Sequence, residues 1–554
     1  MEASEQKTGV SVRWLVAGAF SASPSGRRVR LGAGDLVQAL EAAKVSARAT
    51  VEDRLGGDKT RVIEVSFPTF KSFQTSEVVA GVAVLKDLSA LAASLAQNDP
   101  TKRPDPESAI AKVVELVGEG KLSAALRAKL GVSKPASAPT SASSASPAAP
   151  AAAGISVDEL LTAAPAPAAQ PSASSAIGSF LKAVREPSAP VVLPSAGRAA
   201  RDLIEAEVFA TAVEVLKEPG VAALESAWRG LKLLIDTAPS GSGMAVDLLD
   251  VAPAKAIEAV RADLGETEQD ELPDAIFVHD PVDDIEGIAA WADVGADHDI
   301  PVVLGVTPRF FGVAEAGAVA SRIEDEDGGL PAEWKAFRHD EASRWISVVS
   351  NRVVLRQEGT GTGKRVVFGS PVMALAAMLA ASYHRTGAYA QVVGENVSMP
   401  SPGSWELPTG RDAGMLVPTE AFYSATAQST LARLGIIGFG SRRNSGNLVL
   451  KSVPTTRDGE DLVPLPAQIL TGRIVRFARW VLAQLPPKAP EPEVKLLFEQ
   501  AASVFLFPAA AEAAKLEAQV ITEKEHRSVV LQVSAHASLA GIPFHLAFSL
   551  PLAD

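Results

Sequence analysis

The spacing of hydrophobic positions predicts short strands near both ends of the chain. Val10, Val12, Trp14 and Val16 recur at every second residue, which is the period of a strand with one buried face. The same period predicts a second strand over 63–67, and helical spacing follows it. The first part of the chain is therefore expected to be a small α+β unit.

The carboxyl-terminal part ends in a predicted hairpin. Apolar residues alternate with polar ones over 529–533 and again over 544–550, and Gly541 and Pro543 lie between the two segments. Strands near a chain end can add to the sheet of a neighbouring molecule, because their backbone groups are available for pairing. The alternative is that these strands pair only within their own domain.

The composition of the chain divides it into three parts. Every residue over 135–153 is Ala, Pro, Ser or Thr, and such a segment buries too little apolar surface to offset its ordering entropy. We therefore predict a small α+β domain over 9–134, a flexible linker over 135–199 and a mixed α/β domain over 200–554. The last part combines helical periodicity with short buried strands.

Two apolar islands interrupt the predicted linker. Ile155, Leu160 and Leu161 form the first, and residues 177–184 contain the second. Apolar residues at helical spacing inside an unstructured tether predict short helices. Such helices either bind a partner protein or cover part of their own domain, and the sequence leaves both possibilities open.

Composition excludes several classes of protein. The chain has 554 residues, 47% of them hydrophobic and 21% charged, which is enough for three or four structural units. Its net charge of −13 argues against a nucleic-acid binder, and the absence of Cys excludes disulfides and cysteine chemistry. The longest apolar stretch, 372–381, is much shorter than the ~20 residues of a membrane helix. The apolar run over 14–20 is interpreted as a strand rather than as a signal peptide.

The sequence contains no complete catalytic or ligand-binding motif. Residues 359–364 resemble a phosphate-binding loop, but Glu358 replaces the first glycine and Arg365 replaces the hydroxyl residue, so a turn is favoured. Residues 438–440 lack the third glycine of a dinucleotide fingerprint. The histidines show no metal-ligand spacing, and no nucleophile elbow occurs. We therefore expect no enzyme activity, no cofactor and no metal.

Several segments resemble one protein family in the same order. Residues 224–231 resemble the "LE-x-x-WRGL" helix of the large subunit of the type VI secretion contractile sheath. Residues 334–338 resemble its "W-x-x-FR" segment, 418–420 its "PTE" segment and 476–478 its "RFAHY" helix. Each match is weak alone, but the order and spacing of the set make it strong.

The first domain resembles the small subunit of the same sheath. Residues 15–20 resemble its "LVVGDF" strand and turn, and residues 67–73 resemble its "F-x-SLKDF" segment. Taken together, the chain resembles a small and a large sheath subunit fused through the Ala/Pro linker. The expected fold is mixed α+β and α/β, with intertwined small and large parts and termini that exchange strands.

This resemblance implies a structural protein of the cytoplasm that polymerises around an inner tube and contracts to expel it. The implied partners are further copies of the chain, the inner tube protein and baseplate components. An AAA+ ATPase that disassembles spent sheath is a further expected partner, whereas nucleic acid and membrane insertion are not expected. The alternative function is a baseplate or tail-accessory subunit with the same fold.

Three sets of residues follow from these arguments. The candidates for inter-subunit strands are Val10, Val12, Trp14, Val16, Val529, Leu531, Val533, Phe544, Leu546 and Phe548. The family-motif core is Trp228, Arg229, Gly230, Trp334, Phe337, Arg338, Arg344, Arg476 and Phe477. The candidates for recognition by the ATPase are Ile155, Leu160 and Leu161.

Overall fold

The fold comes from a computed structural model of the chain. It describes residues 12–31, 35–97, 103–132, 195–238, 243–324, 329–359, 364–394, 397–410, 412–459, 463–486, 488–506, 513–523 and 526–552. Val10 and the ATPase-recognition candidates Ile155, Leu160 and Leu161 lie outside the described residues.

The first part of the chain alternates short strands with short helices. Its elements are β1 (Val12–Gly18), β2 (Arg28–Leu31), α1 (Leu36–Ala42), β3 (Ser46–Glu52), β4 (Thr60–Ser66), α2 (Thr75–Gly81), α3 (Ala83–Leu95), α4 (Pro106–Val117) and α5 (Lys121–Leu130). The helix α4 ends at Gly118, whose φ of 83° favours glycine. Within the described part of the chain, no single helix is long and apolar enough to cross a membrane, and only α2 and α3, bent by 97°, pass that test as a pair.

The second part is longer and contains most of the buried strands. Its first elements are α6 (Ser195–Lys217), α7 (Pro219–Thr237), β5 (Met244–Asp250), α8 (Ala256–Glu266), β6 (Ala275–Pro281), α9 (Ile285–His298), β7 (Val302–Gly305), α10 (Ala316–Arg322), α11 (Ala332–His339), β8 (Ile346–Ser350), β9 (Val353–Glu358), β10 (Arg365–Gly369) and α12 (Pro371–Thr386). Since α6 begins at Ser195, the linker prediction is wrong for residues 195–199.

The remaining elements lead to the carboxyl terminus. They are β11 (Met399–Pro400), β12 (Trp405–Glu406), β13 (Leu416–Val417), α13 (Ala425–Arg433), β14 (Ile436–Gly438), β15 (Gly440–Ser441), β16 (Asn447–Val449), α14 (Leu465–Gln484), α15 (Glu491–Ala501), β17 (Ala514–Glu523), β18 (His526–Ala535), α16 (Ala537–Ala540) and β19 (Phe544–Pro551). Strands and helices therefore alternate along most of the chain, which confirms the predicted mixed fold class.

A seven-stranded sheet forms the centre of the molecule, in the order β14-β8-β7-β6-β1-β5-β2. All neighbouring strands run parallel except β2, which pairs with β5 in the antiparallel sense. Strand β1 thus lies between β5 and β6, with Trp14 opposite Val246 on one side and Ala275 on the other.

The position of β1 corrects the predicted domain boundary. The sequence assigned β1 to a small domain over 9–134, but β1 and β2 both belong to the sheet of the mixed α/β domain. The reason lies in the residues between the predicted apolar positions, because Leu15 and Ala17 are as fully buried as Trp14. A strand that is apolar on both faces requires a central place in a covered sheet.

Two hydrophobic cores lie on the two faces of this sheet. From β1, Trp14 and Val16 face the first core, whereas Leu15 and Ala17 face the second. Helices α6, α7 and α12 contribute to the first core, and helices α8, α9, α10, α11 and α13 contribute to the second. The helical layers on both faces remove the sheet from water, as is usual for parallel sheets.

The rest of the first part forms a satellite on α6 and α7. Strands β3 and β4 pair as an antiparallel ribbon, and the buried side chains of Ala49, Val51, Ile63 and Val65 lie on one of its faces. Helices α2, α3 and α5 pack against α6. This satellite joins the first core, so it and the central sheet bury apolar surface together.

Candidate functional site

The carboxyl-terminal residues form a separate three-stranded antiparallel sheet in the order β17-β18-β19. The predicted hairpin is confirmed, since Leu531 lies opposite Phe548 and Val533 opposite Leu546. Helix α16 and Gly541, whose φ is 82°, form the connection between the two strands. Strand β17 was not predicted from the sequence, and it pairs with the other edge of β18.

The hydrogen-bond pattern of β19 determines which of its backbone groups are available. The N–H of Leu552 donates to the carbonyl of Arg527 at 2.9 Å, so these two residues are a hydrogen-bonded pair of the ladder. Bonded pairs recur at every second residue of an antiparallel ladder. The N–H groups of His545, Ala547 and Ser549 therefore point away from β18, toward an edge that pairs with no described strand.

One face of this sheet is apolar, and its burial is uneven across the three strands. In the middle strand, Val529 and Leu531 are fully buried. Helix α15 packs on β17 and helix α14 contacts β19, but Phe544, Leu546 and Phe548 remain only half-buried. The sheet thus presents an unpaired backbone edge beside a partly covered apolar row, which is the arrangement that strand addition uses.

The opposite face of the sheet is polar. The hydroxyl of Ser534 and Nδ1 of His545 lie 3.0 Å apart on neighbouring strands. His536 caps the start of α16, because its Nδ1 accepts a hydrogen bond from the N–H of Ser538. These contacts stabilise the sheet and its connection, and they leave the outer edge of β19 untouched.

The predicted interface residues lie on three strands that differ in how their edges are paired. Val12, Trp14 and Val16 lie on β1, which pairs on both edges within the chain, and their role as inter-subunit strand residues stays a prediction. Val529, Leu531 and Val533 lie on β18, which also has both edges paired within the chain, and their interface role stays a prediction as well. Phe544, Leu546 and Phe548 lie on the outer strand β19, where an interface role stays a prediction.

The first family-motif residues join the amino-terminal segment to the helical layer. The indole N–H of Trp228 donates to the carbonyl of Phe20 at 2.7 Å, just after β1 ends. Arg229 binds Glu225 one turn earlier on α7. A Cβ atom on Gly230 would lie 3.0 Å from Cγ of Met373, so glycine allows α7 and α12 to approach closely.

The second group of motif residues stabilises the edge of the sheet near β14. The indole N–H of Trp334 donates to the carbonyl of Leu434 at 2.9 Å, and Phe337 is buried beside it. Arg338 donates to the carbonyl of Thr456 at 3.0 Å. Burial lowers the pKa of Arg338, although the nearby Asp458 carboxylate opposes this shift. These residues hold the fold together.

Arg344 and Phe477 complete the set of motif residues. Arg344 forms a partly exposed ion pair with Glu341 at 2.9 Å. Phe477 is buried on α14, and its ring centroid lies 6.3 Å from that of Trp480. Among the described residues, neither side chain forms a hydrogen bond to the carboxyl-terminal sheet.

A buried ion cluster around Asp274 escaped the sequence analysis. The carboxylate of Asp274 accepts hydrogen bonds from the N–H of Arg13 at 3.0 Å, from Arg473 at 2.7 Å and from Arg476 at 2.8 Å. Arg476 also donates to the carbonyl of Asp299 at 2.7 Å. The cluster therefore fixes β1, β6 and α14 to one another. Of its side chains, only Arg476 had been identified from the sequence, as part of a family motif.

A second buried cluster joins the satellite to the hairpin of β9 and β10. Arg365 binds both Glu225 and Glu358, and it donates to the carbonyl of Phe73 at 3.0 Å. Glu358 accepts from the N–H of Thr75 at 3.1 Å. Burial alone would raise the pKa of Glu358, but the hydrogen bonds from Arg365 and Thr75 outweigh it and lower that pKa.

The segments with weak ligand motifs lie between strands. The phosphate-loop-like segment 359–364 lies between the antiparallel strands β9 and β10, and its residues 360–363, on which the prediction of a turn falls, lie outside the described residues. Residues 438–440 link the short strands β14 and β15. Among the described residues, no group of three His, Asp or Glu side chains is placed to hold a metal ion.

Comparison with known families gives a match to the middle of the chain. Residues 271–457 match the family model VipB, described as EvpB/VC_A0108, tail sheath N-terminal domain. The tail sheath resemblance is confirmed. This sheath segment contains β6, β7 and β8 of the central sheet together with the motif residues Trp334 and Arg338. It supports a structural subunit of a contractile sheath.

Similar solved structures also come from contractile systems. They include the baseplate of the anti-feeding prophage, with 13% identity over 59% of this chain and 77% of that chain and a TM-score of 0.33. The helical sheath of the same prophage in its contracted state has 14% identity over 59% and 79% and a TM-score of 0.31. A sheath tail protein from Desulfitobacterium hafniense has 13% identity over 55% and 61% and a TM-score of 0.32. No curated protein matches the chain.

Proposed function

We propose that the chain is a sheath subunit that joins the next copy by strand addition at the outer edge of β19. The sheath segment supports the structural role. The unpaired edge of β19 supports the mode of assembly, because His545, Ala547 and Ser549 direct their N–H groups outward. The half-buried row of Phe544, Leu546 and Phe548 would gain cover from the added strand.

Polymerisation follows from the asymmetry of this contact. The strand that adds to β19 comes from a different surface of the neighbouring copy, so the contact is heterologous and generates a helix when it does not close. Contraction then requires two packings of the subunits with intact strand links. Because β18 has both edges paired within the chain, we assign such a link to the outer strand β19.

We place this sheath in a type VI secretion-like machine of the cytoplasm, around an inner tube and on a baseplate, without enzyme activity. The amino-terminal satellite and the sheath segment lie on one chain, which we interpret as fused small and large sheath subunits. Fusion fixes their ratio and raises their effective concentration. Ile155, Leu160 and Leu161 are proposed to bind an AAA+ ATPase.

The assembly proposal is tested with proline at the outward positions of β19. Ala547→Pro or Ser549→Pro removes an N–H that β18 does not use, and an edge strand tolerates proline there. We expect the unmodified chain to form tubes in negative-stain electron microscopy after ultracentrifugation, and we expect the variants to form none while they fold with an unchanged circular dichroism spectrum. Ala547→Thr keeps the N–H and is the matched control.

The outcomes separate the alternatives. Tubes of normal yield from Ala547→Pro would overturn strand addition at β19. If the unmodified chain forms only small particles of defined size, the baseplate or tail-accessory function replaces the sheath proposal. Leu531 and Val533 are unsuitable for this test, because proline in the central strand β18 would break pairing within the protomer itself.

A further inference from the structure

The acidic residues of the chain are unevenly distributed. Residues 256–299 contain fourteen Asp or Glu and a single Arg, so this stretch has a net charge of −13. The whole chain also has a net charge of −13, and the charges of all its other residues therefore cancel. Helices α8 and α9 belong to this stretch, and both pack on the second core. The negative charge is thus concentrated on one side of the central sheet.

Part of this charge is neutralised inside the protomer. The carboxylate of Asp263 binds Arg28 at 3.2 Å, and that of Asp299 binds Arg479 at 2.6 Å. In contrast, the exposed carboxylates within α9 form no ion pair with a described residue. We refer to these side chains as the acidic surface, which consists of Glu286, Asp293 and Asp297.

Two residues of the acidic surface are unfavourable for the helix that carries them. Asp293 and Asp297 are separated by one turn, so their carboxylates lie on the same side of α9 and repel each other. Asp297 also lies in the last turn, near the negative end of the helix dipole, where a cation is preferred. Glu286 lies in the favourable first turn. A cation from outside the protomer would offset both penalties.

A second surface of the molecule has the opposite charge. Residues 421–457 contain five Lys or Arg and no Asp or Glu. Helix α13 lies in this stretch and packs on the edge strand β14. We refer to three exposed cations around this helix as the basic surface, which consists of Arg433, Arg443 and Lys451. Arg443 lies 3.5 Å from the carboxylate of Asp412, whereas the other two form no ion pair with a described residue.

The three cations are distributed along α13. Arg433 is the last residue of the helix. The N–H of Lys451 donates to Oε1 of Gln428 at 3.0 Å, which brings Lys451 beside the middle of the helix. The guanidinium of Arg443 lies 5.4 Å from the ring centroid of Phe422, just before the helix starts. The basic surface therefore extends over the length of α13.

We propose that the acidic surface of one copy of the chain binds the basic surface of a second copy. Within one protomer, α11 contacts α9, and its Trp334 donates to the carbonyl of Leu434 after α13. Among the described residues, no ion pair joins the two surfaces inside the protomer. Each surface thus has unpaired charges that match the other in sign.

The two surfaces differ from each other, so the contact between copies is heterologous. Three carboxylates and three cations contribute to it, and like charges in the wrong orientation would repel. The contact therefore selects the relative orientation of neighbouring copies. It involves no residue of β19, and it does not rest on strand addition there.

The net charge gives this contact a characteristic salt dependence. Copies of a protein with a net charge of −13 repel one another, so general electrostatics predicts stronger association when salt screens that repulsion. A contact between opposite charges predicts the reverse, because salt screens the attraction. The direction of the salt effect therefore separates a specific contact from the overall charge.

The experiment measures the mass of the full chain by sedimentation velocity. Every chain carries Ala547→Pro, so that strand addition at β19 does not contribute. The ionic strength is about 0.01 M and about 0.15 M, between which the Debye length falls from about 30 to about 8 Å. We expect association at the lower ionic strength and its loss at the higher one.

Reversal of the charges on either surface locates the contact. Asp293→Lys with Asp297→Lys makes both surfaces basic, and Arg433→Glu with Lys451→Glu makes both acidic. We expect each double variant alone to associate at least about tenfold more weakly than the parent. An equal mixture of the two should associate like the parent, because opposite charges face each other again.

A matched control carries the same change of charge elsewhere. Glu41→Lys with Asp87→Lys alters exposed carboxylates of α1 and α3. Each Asp→Lys or Glu→Lys substitution adds two charges, so the control and the α9 variant both change the net charge from −13 to −9. This change reduces general repulsion, so the control should associate at least as strongly as the parent.

Several results would overturn the proposal: a parent that stays at protomer mass at low ionic strength, a mixture that does not associate, or equal losses in the control. If a double variant fails to fold, Asp297→Lys and Lys451→Glu repeat the mixing experiment. Asp297→Lys places a cation in the last turn of α9, so its Tm should not fall. Tubes formed by Ala547→Pro itself would reject strand addition at β19 alone, and the mixing experiment would then compare tube yields.

Discussion

Strands β1 and β19 have the same apolar spacing but occupy opposite environments. Strand β1 pairs on both edges, and its Trp14 is fully buried. Strand β19 pairs on one edge, and its Phe548 is half-buried. The positions between the apolar residues account for the difference, because Leu15 is apolar in β1 whereas His545 and Ser549 are polar in β19. Apolar residues at every second position indicate a strand, and the polarity of the residues between them indicates whether that strand is central in its sheet.

The largest expected effect concerns the polar contacts that hold β1. Asp274→Ala leaves Arg473 and Arg476 buried without their carboxylate and removes the acceptor of the Arg13 N–H. We expect a loss of about 4 to 6 kcal/mol in the free energy of unfolding, measured by urea denaturation. The control Glu341→Ala breaks the partly exposed pair with Arg344 and should cost less than about 1 kcal/mol. Similar losses in both variants would contradict the importance of the buried cluster.

The next effect compares the two strands directly. Trp14→Ala removes a fully buried ring from the central sheet, and we expect a loss of about 3 to 5 kcal/mol in the same measurement. The variant should also lower the helical signal, since both cores contact β1. If Trp14→Ala unfolds at the urea concentration of the parent, β1 does not occupy the centre of the sheet.

A smaller effect depends on pH and concerns the contact between the satellite and Glu358. The lowered pKa of Glu358 means that its stabilising contribution is present above its ordinary value of 4.5 and is lost as the pH falls through the lowered value. Glu358→Gln should cost about 1 to 3 kcal/mol at pH 7 and less in acid. Urea denaturation at pH 7 and at pH 3 measures this, and a cost that does not shrink in acid would contradict it.

The smallest expected effect on the protomer is at β19. Phe548→Ala removes a half-buried ring, so we expect a loss of only about 1 to 2 kcal/mol in the free energy of unfolding. If β19 accepts a neighbouring strand, the same variant should reduce the yield of pelleted tubes far more than it reduces protomer stability. A loss of stability equal to that of Trp14→Ala would show that β19 belongs to the protomer core.

The sequence alone was sufficient to predict individual strands, but it was insufficient to predict which strands pair with one another. The alternation over 529–533 and 544–550 predicted β18 and β19, because such a pattern depends only on neighbouring residues. Strand β17 shows the same alternation at Leu516, Ala518 and Val520, so it could have been predicted too. The partner strands of β1 could not be predicted, because β5 begins at Met244 and its pairing with β1 depends on long-range packing.

The candidate site shows the same division. Phe544, Leu546 and Phe548 were predicted from periodicity, but the free edge of β19 became evident only when β17 and β18 were paired. Motif residues such as Trp228 and Arg338 proved to support the fold. Asp274, the buried acidic partner of the motif residue Arg476, carries no local pattern, since its carboxylate also binds Arg473, which lies 199 residues away.

The central place of β1 also has a consequence during synthesis. The N–H of Arg13 binds Asp274, a residue 261 positions later. At about 5 to 20 residues per second, a ribosome needs roughly 10 to 50 s to make that stretch. During this time the nascent strand exposes an apolar segment without its partners, and contacts of such sequence separation form slowly. Attachment of newly made protein to a chaperone is therefore expected until β6 has left the ribosome.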